Sequence, residues 1–356
     1  MSPTSERLRI GFLGAGLIAT YHSKSLRHGG SPVERAGVYD PDTDRATAFA
    51  VASGHQVCGS AEEVIAGADA IYVCTWTSEH LPLVELAVNA GKPVFCEKPL
   101  STSLATATKL AHLMTSAGVV NQVGLVLRHS PAFLALRRLI EDPASGRLLT
   151  VVFRDDQFIP VQGHYSSTWR GDHTKAGAGT LMEHSIHDID MLEFLGGPIA
   201  TISARTRYNH EIAGIEDVAA VSFDYAARPD GSSGLGTLTS VWHDVLGRPS
   251  LRRVEVFCER AWAALGDDWF GPVEWVREGF GSGTWERAEL VEAAQADLAA
   301  QGRHPNPDVD FVHSVLAGTA SHPDVNVALR AHVVCDAMYR SAASGGAMVA
   351  IPSGIP

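Results

Sequence analysis

Three stretches of this 356-residue chain combine residue types and spacings suited to chemistry. The first is IGFLGAGLIA, which holds Gly14-x-Gly16-x-x-Ala19, with Asp40 further along. Gly14 permits a tight turn, Gly16 lets backbone approach a pyrophosphate, and Ala19 is small enough for a helix to lie against a strand. The free N–H groups at Gly16, Leu17 and Ile18 would receive the anion. An acid at the position of Asp40 accepts hydrogen bonds from the hydroxyls of an adenosine ribose. The second stretch is AGKPVFCEKPL, with Glu97 and Lys98 directly after an apolar run. A lysine leaving a strand end can deliver or take a proton at a reacting hydroxyl. The third is AGAGTLMEHSIHDIDMLEFL, where an acid, Glu183, precedes His187 and Asp190. At about 100° per residue these three share one helix face, beside an apolar stripe of Met182, Ile186 and Ile189.

The elements that must position these groups follow from periodicity. Strand-like runs at Leu8–Leu13, Val33–Tyr39, Ala68–Thr75, Pro93–Cys96 and Val119–Val126 alternate with helical patterns at Leu17–Arg27 and Ser78–Ala90, and with a helix starting at Ser101. Ser60 and Glu63 form a capping box at the start of another short helix. Strands separated by such helices form a parallel sheet with right-handed crossovers, and ligands bind at the carboxyl ends of its strands. After residue 126 a helix at Pro131–Ile140 leads into a strand near Leu148–Phe158, a polar, aromatic loop and one helix over about 179–195. Alternating runs follow at Thr201–Tyr208, Asp217–Tyr225, Leu235–Trp242 and Arg253–Cys258, then helices near Val309–Ala317 and Asn326–Ser344. The expected architecture is α/β: a doubly wound parallel sheet of Rossmann type over 1–126, and over 127–356 an α+β domain with an open, mostly antiparallel sheet for substrate binding and oligomerisation. The helix at about 326–344 is expected to pack back towards the first domain.

Composition narrows the function. Hydrophobic residues make up 45% and charged residues 19%, which excludes intrinsic disorder. A formal charge of −12 argues against nucleic acid and against an anionic membrane surface as partners. No run approaches the roughly 20 apolar residues of a membrane span, and the start MSPTSERLRIGF has no secretory pattern, so a cytoplasmic protein is expected. Five scattered cysteines, Cys58, Cys74, Cys96, Cys258 and Cys335, read as reduced thiols. Asp40 favours NAD over NADP, because a carboxylate repels a 2′-phosphate and no arginine follows until Arg45.

Taken together, the GxGxxA start, the Thr75–His80 segment before AGKPVFCEKPL and the later acid–histidine stretch resemble the glucose–fructose oxidoreductase, inositol dehydrogenase and rhizopine-catabolism family (Gfo/Idh/MocA). The resemblance covers essentially the whole chain, and Gly91–Leu100 is its most specific part. It implies NAD-dependent hydride transfer involving a ring hydroxyl of a sugar, cyclitol or glycoside. Carried over by position, Lys98 would stand at the reacting hydroxyl and Glu97 near the nicotinamide ribose. Thr75, Trp76, Thr77 and His80 would line the cofactor, although the family usually has Thr-Pro-Asn where this chain has Thr75-Trp76-Thr77. Glu183 stands where the family has an aspartate; His187 and Asp190 match directly. Trp169 and Arg170 would lie near cofactor and substrate, with Arg128 and Gln157 as further substrate contacts. His187 or Lys98 would be the base, Glu183 would orient hydroxyls or His187, and Asp190 would be structural. The family also implies a homodimer or homotetramer.

Other readings compete. A keto-sugar reductase, or redox-neutral glycoside cleavage through a transient ketone, would use the same residues. A dinucleotide-binding regulator would be expected to lack the lysine or the histidine. A metal site could draw on His164, His173, His184, His187 and Asp188, but His184 and Asp188 point away from Glu183 and His187 on a helix, so no metal is expected. Trp242 and His243 end a strand and either reach the sugar or serve the core.

Overall fold

The computed structural model describes residues 7–228, 231–266 and 269–354. It divides into two compact units: residues up to Leu125 together with Gly302–Leu329, and Val126–Gln301 together with the chain from Arg330 onward. The sequence reading gave everything after residue 126 to the second domain; here 302–329 clusters with the first.

The first unit runs β1 (Leu8–Leu13), α1 (Leu17–His28), β2 (Val33–Tyr39), α2 (Thr43–Ser53), β3 (Gln56–Val57), α3 (Ala61–Gly67), β4 (Ala70–Val73), α4 (His80–Asn89), β5 (Val94–Cys96), α5 (Leu104–Ala117) and β6 (Asn121–Val123). The strands form one parallel sheet in the order β3-β2-β1-β4-β5-β6, so the order reverses between β1 and β4. Such a reversal opens a crevice at the carboxyl ends of the strands. The strands are short and apolar because helices cover both faces: Ile10, Phe12, Tyr72, Val73, Phe95 and Cys96 are all buried. Side-chain caps start three of these helices. Asp42 accepts from Arg45 N–H, Ser60 from Glu63 N–H and Ser103 from Thr106 N–H. The fifth helix therefore begins at Leu104, behind its Ser103 cap, rather than at Ser101.

The second unit holds α6 (Pro131–Glu141), β7 (Leu148–Phe158), α7 (His173–Ala176), α8 (Ile186–Gly196), β8 (Ile199–Arg207), β9 (Val218–Tyr225), β10 (Leu235–His243), β11 (Leu251–Cys258), β12 (Ala261–Leu265), β13 (Val273–Arg277), β14 (Gly281–Trp285) and α9 (Arg287–Ala300). The chain then forms α10 (Pro307–Ala317) in the first unit. It enters α11 (Val325–Ala343), whose Val325, Ala328 and Leu329 join the first unit's core, and ends with β15 (Val349–Ala350). The second sheet has nine strands in the order β14-β13-β12-β11-β7-β10-β9-β8-β15. It is antiparallel except for the β7–β10 pair. One face is apolar and covered: Val151, Phe153, Leu238, Val254 and Val256 are buried, and Phe153 stacks on Phe133 of α6 at 6.0 Å. Each such side chain contributes about 1.5–3 kcal/mol by leaving water. The other face carries a cross-strand row of Val276, Trp262, Phe257, Thr150 and Leu235, all at least partly exposed.

Candidate active site

In the first unit the turn after β1 is built around Gly14. Its φ is +92°, and an added Cβ would lie 2.5 Å from the Cys74 carbonyl oxygen, so only glycine fits. Gly16 precedes α1 without a side-chain cap, and an added Cβ there meets nothing within 4 Å. Open space beside uncapped helix N–H groups suits a pyrophosphate. Leu17 and Ile18 flank that opening with exposed side chains, and Ala19 is fully buried. These features fit a dinucleotide.

Asp40 ends β2, buried to 6% exposure. Its Oδ2 accepts from Ala15 N–H at 2.9 Å and its Oδ1 from Asp42 N–H at 2.9 Å. The carboxylate thus shapes the glycine turn, a role the sequence reading had not assigned. Arg45 was discounted as too far along the chain, yet one turn of α2 brings its Nη1 to 3.2 Å from Asp40 Oδ1.

Lys98 leaves the carboxyl end of β5, half-buried. Its own N–H donates to Glu97 Oε2 at 3.0 Å. Glu97 lies against Gly124, where a Cβ would come within 2.5 Å of its Oε1. That Oε1 is 2.8 Å from Nε2 of His22 in α1, and His22 Nδ1 is 2.7 Å from Asp308 Oδ1 in α10. Thr75 and Trp76 are half-buried and Thr77 is buried. His80 offers no surface to a cofactor. It is 1% exposed, and burial lowers its pKa.

In the second unit the expected single helix over 179–195 is broken in two. Residues Thr180–His184 form a π-helical turn, Ser185 N–H bonds to the Thr180 carbonyl at 2.8 Å, and α8 begins at Ile186. The cause is Glu216, whose carboxylate accepts from Gly179 N–H at 2.8 Å, Leu181 N–H at 2.9 Å and the Tyr339 hydroxyl at 2.8 Å. Burial pushes the Glu216 pKa up, and these donors pull it back. At Gly179 an added Cβ would sit 1.9 Å from the Glu216 carbonyl oxygen. Buried hydroxyls finish the turn: Ser240 Oγ is 2.6 Å from Thr180 Oγ1 and 2.7 Å from Ser185 Oγ. Glu183 thus lies in the π-helical turn and His187 in the α-helix that follows it. Such turns recur at functional sites.

Glu183, 3% exposed, pairs with Arg170 at 2.9 Å, and Arg170 lies 4.8 Å from the Trp169 ring. The structure thus brings together three residues that the sequence placed in one site. His187 stands in the first turn of α8 and is half-buried. Arg128 pairs with Asp190, its Nε and Nη2 donating at 2.9 and 2.7 Å. Burial raises the Asp190 pKa against the pull of Arg128. Gln157 is buried in β7 beside Trp242 of β10, and Trp242 belongs to an apolar cluster with Ile159, Ala176 and Ile215. His243 is half-buried and sits 3.7 Å from Asp156.

His184 and Asp188, the core of the metal reading, enter a buried ion cluster. His184 Nε2 is 2.7 Å from Asp155, and Arg252 reaches Asp155 at 3.2 Å and Asp188 at 2.9 Å. Burial and the neighbouring Asp155 raise the Asp188 pKa to about 7, against the pull of Arg252. Among the described residues, no group of three or more His, Cys, Asp or Glu side chains is arranged for a metal ion. All five cysteines are free thiols, and no helix among the described residues is long and apolar enough to cross a membrane. Residues missed by the sequence reading are His22, Asp308, Glu216, Asp155 and Arg252. Only His22 carried a local signal, three positions after Ala19 on the buried side of α1.

Residues 8–125 match a family model described as the oxidoreductase family with an NAD-binding Rossmann fold, and residues 133–264 match the GFO/IDH/MocA C-terminal domain. An inositol 2-dehydrogenase of Cereibacter sphaeroides is 34% identical over 191 residues, 53% of this chain and 54% of that protein. A 1,5-anhydro-D-fructose reductase of Ensifer adhaerens is 31% identical over 193 residues, 52% and 56% of the two chains. The chain spans about half the length of the curated relatives it matches. Levoglucosan dehydrogenase, solved with NADH and levoglucosan, superimposes with a TM-score of 0.83 at 18% identity, over 98% of this chain and 100% of that one; at that identity the likeness concerns the fold. With both characteristic domains matched, and in the order in which the two units were built up above, the chain belongs to the Gfo/Idh/MocA oxidoreductase family.

Proposed function

We propose that this protein is an NAD-dependent dehydrogenase that oxidises a ring hydroxyl of a cyclitol, sugar or glycoside. One observation carries the reading. The open α1 start at Gly16 and the half-buried Lys98 lie on the same carboxyl edge of one sheet, with only β4 between their strands. At about 4.8 Å per strand that is roughly 10 Å, a span a dinucleotide bridges. The names of the relatives, inositol 2-dehydrogenase and 1,5-anhydro-D-fructose reductase, point to polyhydroxylated rings.

NAD, when bound, takes up the hydride; the rest falls to the chain. Gly14, Gly16 and the N–H groups of Leu17 and Ile18 would hold the pyrophosphate, and Asp40 the adenosine ribose. Lys98 polarises the reacting hydroxyl. His187 takes its proton. Glu183, steadied by Arg170, keeps lone pairs for neighbouring hydroxyls of the ring. Trp169 offers an apolar wall to the ring's C–H face. Arg128 and Gln157 act from behind, by fixing Asp190 and β7. The exposed row of Val276, Trp262, Phe257, Thr150 and Leu235 is the surface that a second copy would cover, giving a homodimer or homotetramer.

The test is the absorbance of reduced nicotinamide on incubation with NAD, or separately NADP, and myo-inositol, aldoses, anhydrosugars or glycosides. Turnover with NAD and one substrate class, absent in Lys98→Ala, is expected. Silence with every alcohol, but oxidation of NADH by a keto-sugar, would reverse the physiological direction. Silence in both directions with NAD bound would refute the enzyme reading.

A further inference from the structure

The first unit contains a buried charged triad for which neither the glycine turn nor the proton-transfer chemistry accounts. His22 is 4% exposed, Glu97 6% and Asp308 3%. The imidazole stands between the two carboxylates, with Nδ1 2.7 Å from Asp308 and Nε2 2.8 Å from Glu97. Both distances are those of charge-assisted bonds. A neutral imidazole has one N–H and can donate to only one of the two.

Burial by itself would push the His22 pKa down; Asp308 and Glu97 overcome that and hold it at about 10. Phe95 and Tyr72 lie against the imidazole, with ring centroids 4.8 and 5.4 Å away. The other titratable groups facing the carboxylates are Tyr72, Cys74, Cys96 and His80. Burial raises the pKa of the first three and lowers that of His80, so all four stay neutral. Asp308 sits in the first turn of α10, where the helix end favours an anion.

What the triad holds is the chain around the lysine. Glu97 has two oxygens: Oε1 belongs to His22, and Oε2 accepts the N–H of Lys98. Gly124 leaves no slack on the far side. We propose that His22, clamped by Asp308, is a positioning residue that locks Glu97 and thereby the backbone from which the Lys98 side chain reaches the reacting hydroxyl. The return of residues 302–329 to the first unit then has a function: it delivers Asp308. The catalytic part of this inference rests on the role proposed for Lys98.

Two substitutions separate positioning from mere stability. In His22→Asn the amide occupies the place of Nδ1, keeping Asp308 and losing Glu97. In His22→Gln the amide occupies the place of Nε2, keeping Glu97 and losing Asp308. Each removes one buried bond, so the loss in Tm should be similar. Lys98 is one of only five lysines, so reductive methylation with labelled formaldehyde gives a short NMR spectrum in which Lys98→Arg assigns its resonance. That resonance should move in His22→Asn and stay in place in His22→Gln. With a substrate found as above, kcat should fall on the order of 10–100-fold in the first variant and recover in the second. A Lys98 resonance unmoved in His22→Asn, or moved equally in both, would overturn the proposal.

A measurement on the unaltered protein covers the case in which the variants do not fold. With nitrogen-labelled histidine, His22 should show protons on both ring nitrogens at pH 8 without cofactor or substrate. An unprotonated nitrogen would refute the two-sided clamp. If Lys98→Ala keeps turnover, the catalytic role of Lys98 fails; the resonance test still decides the clamp.

Discussion

Glu216 makes the sharpest structural claim, because one carboxylate decides that residues 180–184 form a π-helical turn. Replacing it by glutamine keeps the shape and removes one acceptor. Three donors, Gly179 N–H, Leu181 N–H and the Tyr339 hydroxyl, converge on the two oxygens at 2.8–2.9 Å. Glutamine has a single oxygen, so at least one donor must face an NH2 group. Losing a charge-assisted bond costs about 1.5–3 kcal/mol, and the remaining bonds weaken as they become neutral. The relief of no longer burying a charge offsets part of this, as the raised pKa of Glu216 indicates. The net loss should be about 2–3 kcal/mol, a fall in Tm of roughly 4–12 °C for a unit of this size. The same turn carries Glu183 and leads into His187, so kcat should drop by about 10–100-fold while the affinity for NAD, held by the first unit, stays the same. Thermal unfolding, steady-state kinetics and NAD titration read the three effects. A variant with unchanged Tm and kcat would show that Glu216 does not set the turn.

Lys98→Ala should abolish turnover and leave NAD binding within a few-fold; persistence of turnover would remove it from the chemistry. Asp40→Ala should weaken NAD by about tenfold or more and narrow the preference over NADP, since Arg45 is then left to meet a 2′-phosphate; equilibrium titration with both dinucleotides checks it, and an unchanged ratio would place selectivity elsewhere. Asp188→Asn tests the buried cluster through pH. A carboxyl whose pKa is raised to about 7 on folding contributes stability that is complete below about pH 4 and lost as pH rises through 7. The unaltered protein should therefore lose about 4 kcal/mol from this group between about pH 4 and 8. The variant should show a flatter dependence of Tm on pH, and an equal slope would mean that Asp188 is ionised throughout.

Much of this protein is written locally. The parallel sheet was legible because short buried strands alternate with helices, one of them marked by the Ser60–Glu63 capping box; α2, behind its Asp42 cap, was not. The glycine turn was legible because Gly14 and Gly16 answer to constraints a few residues away. Lys98 was legible as the residue that ends a buried strand. The strands β12–β14 were not: AWAAL is alanine-rich, GSGTW is glycine-rich, and both find their state only by pairing in the sheet.

The sequence by itself determined the class of fold and the glycine turn, which depend on neighbours within about one turn or one strand, and it offered the candidate groups for proton transfer. Only the tertiary structure decided how those groups are held. Glu216 reaches the π-helical turn from 37 residues away, and Asp308 reaches His22 from 286. Arg128 finds its partner in Asp190, 62 residues along the chain, and Arg45 looks remote until α2 winds it back onto Asp40. Buried charges need partners, and which partners they find depends on chain reversals that no local pattern encodes.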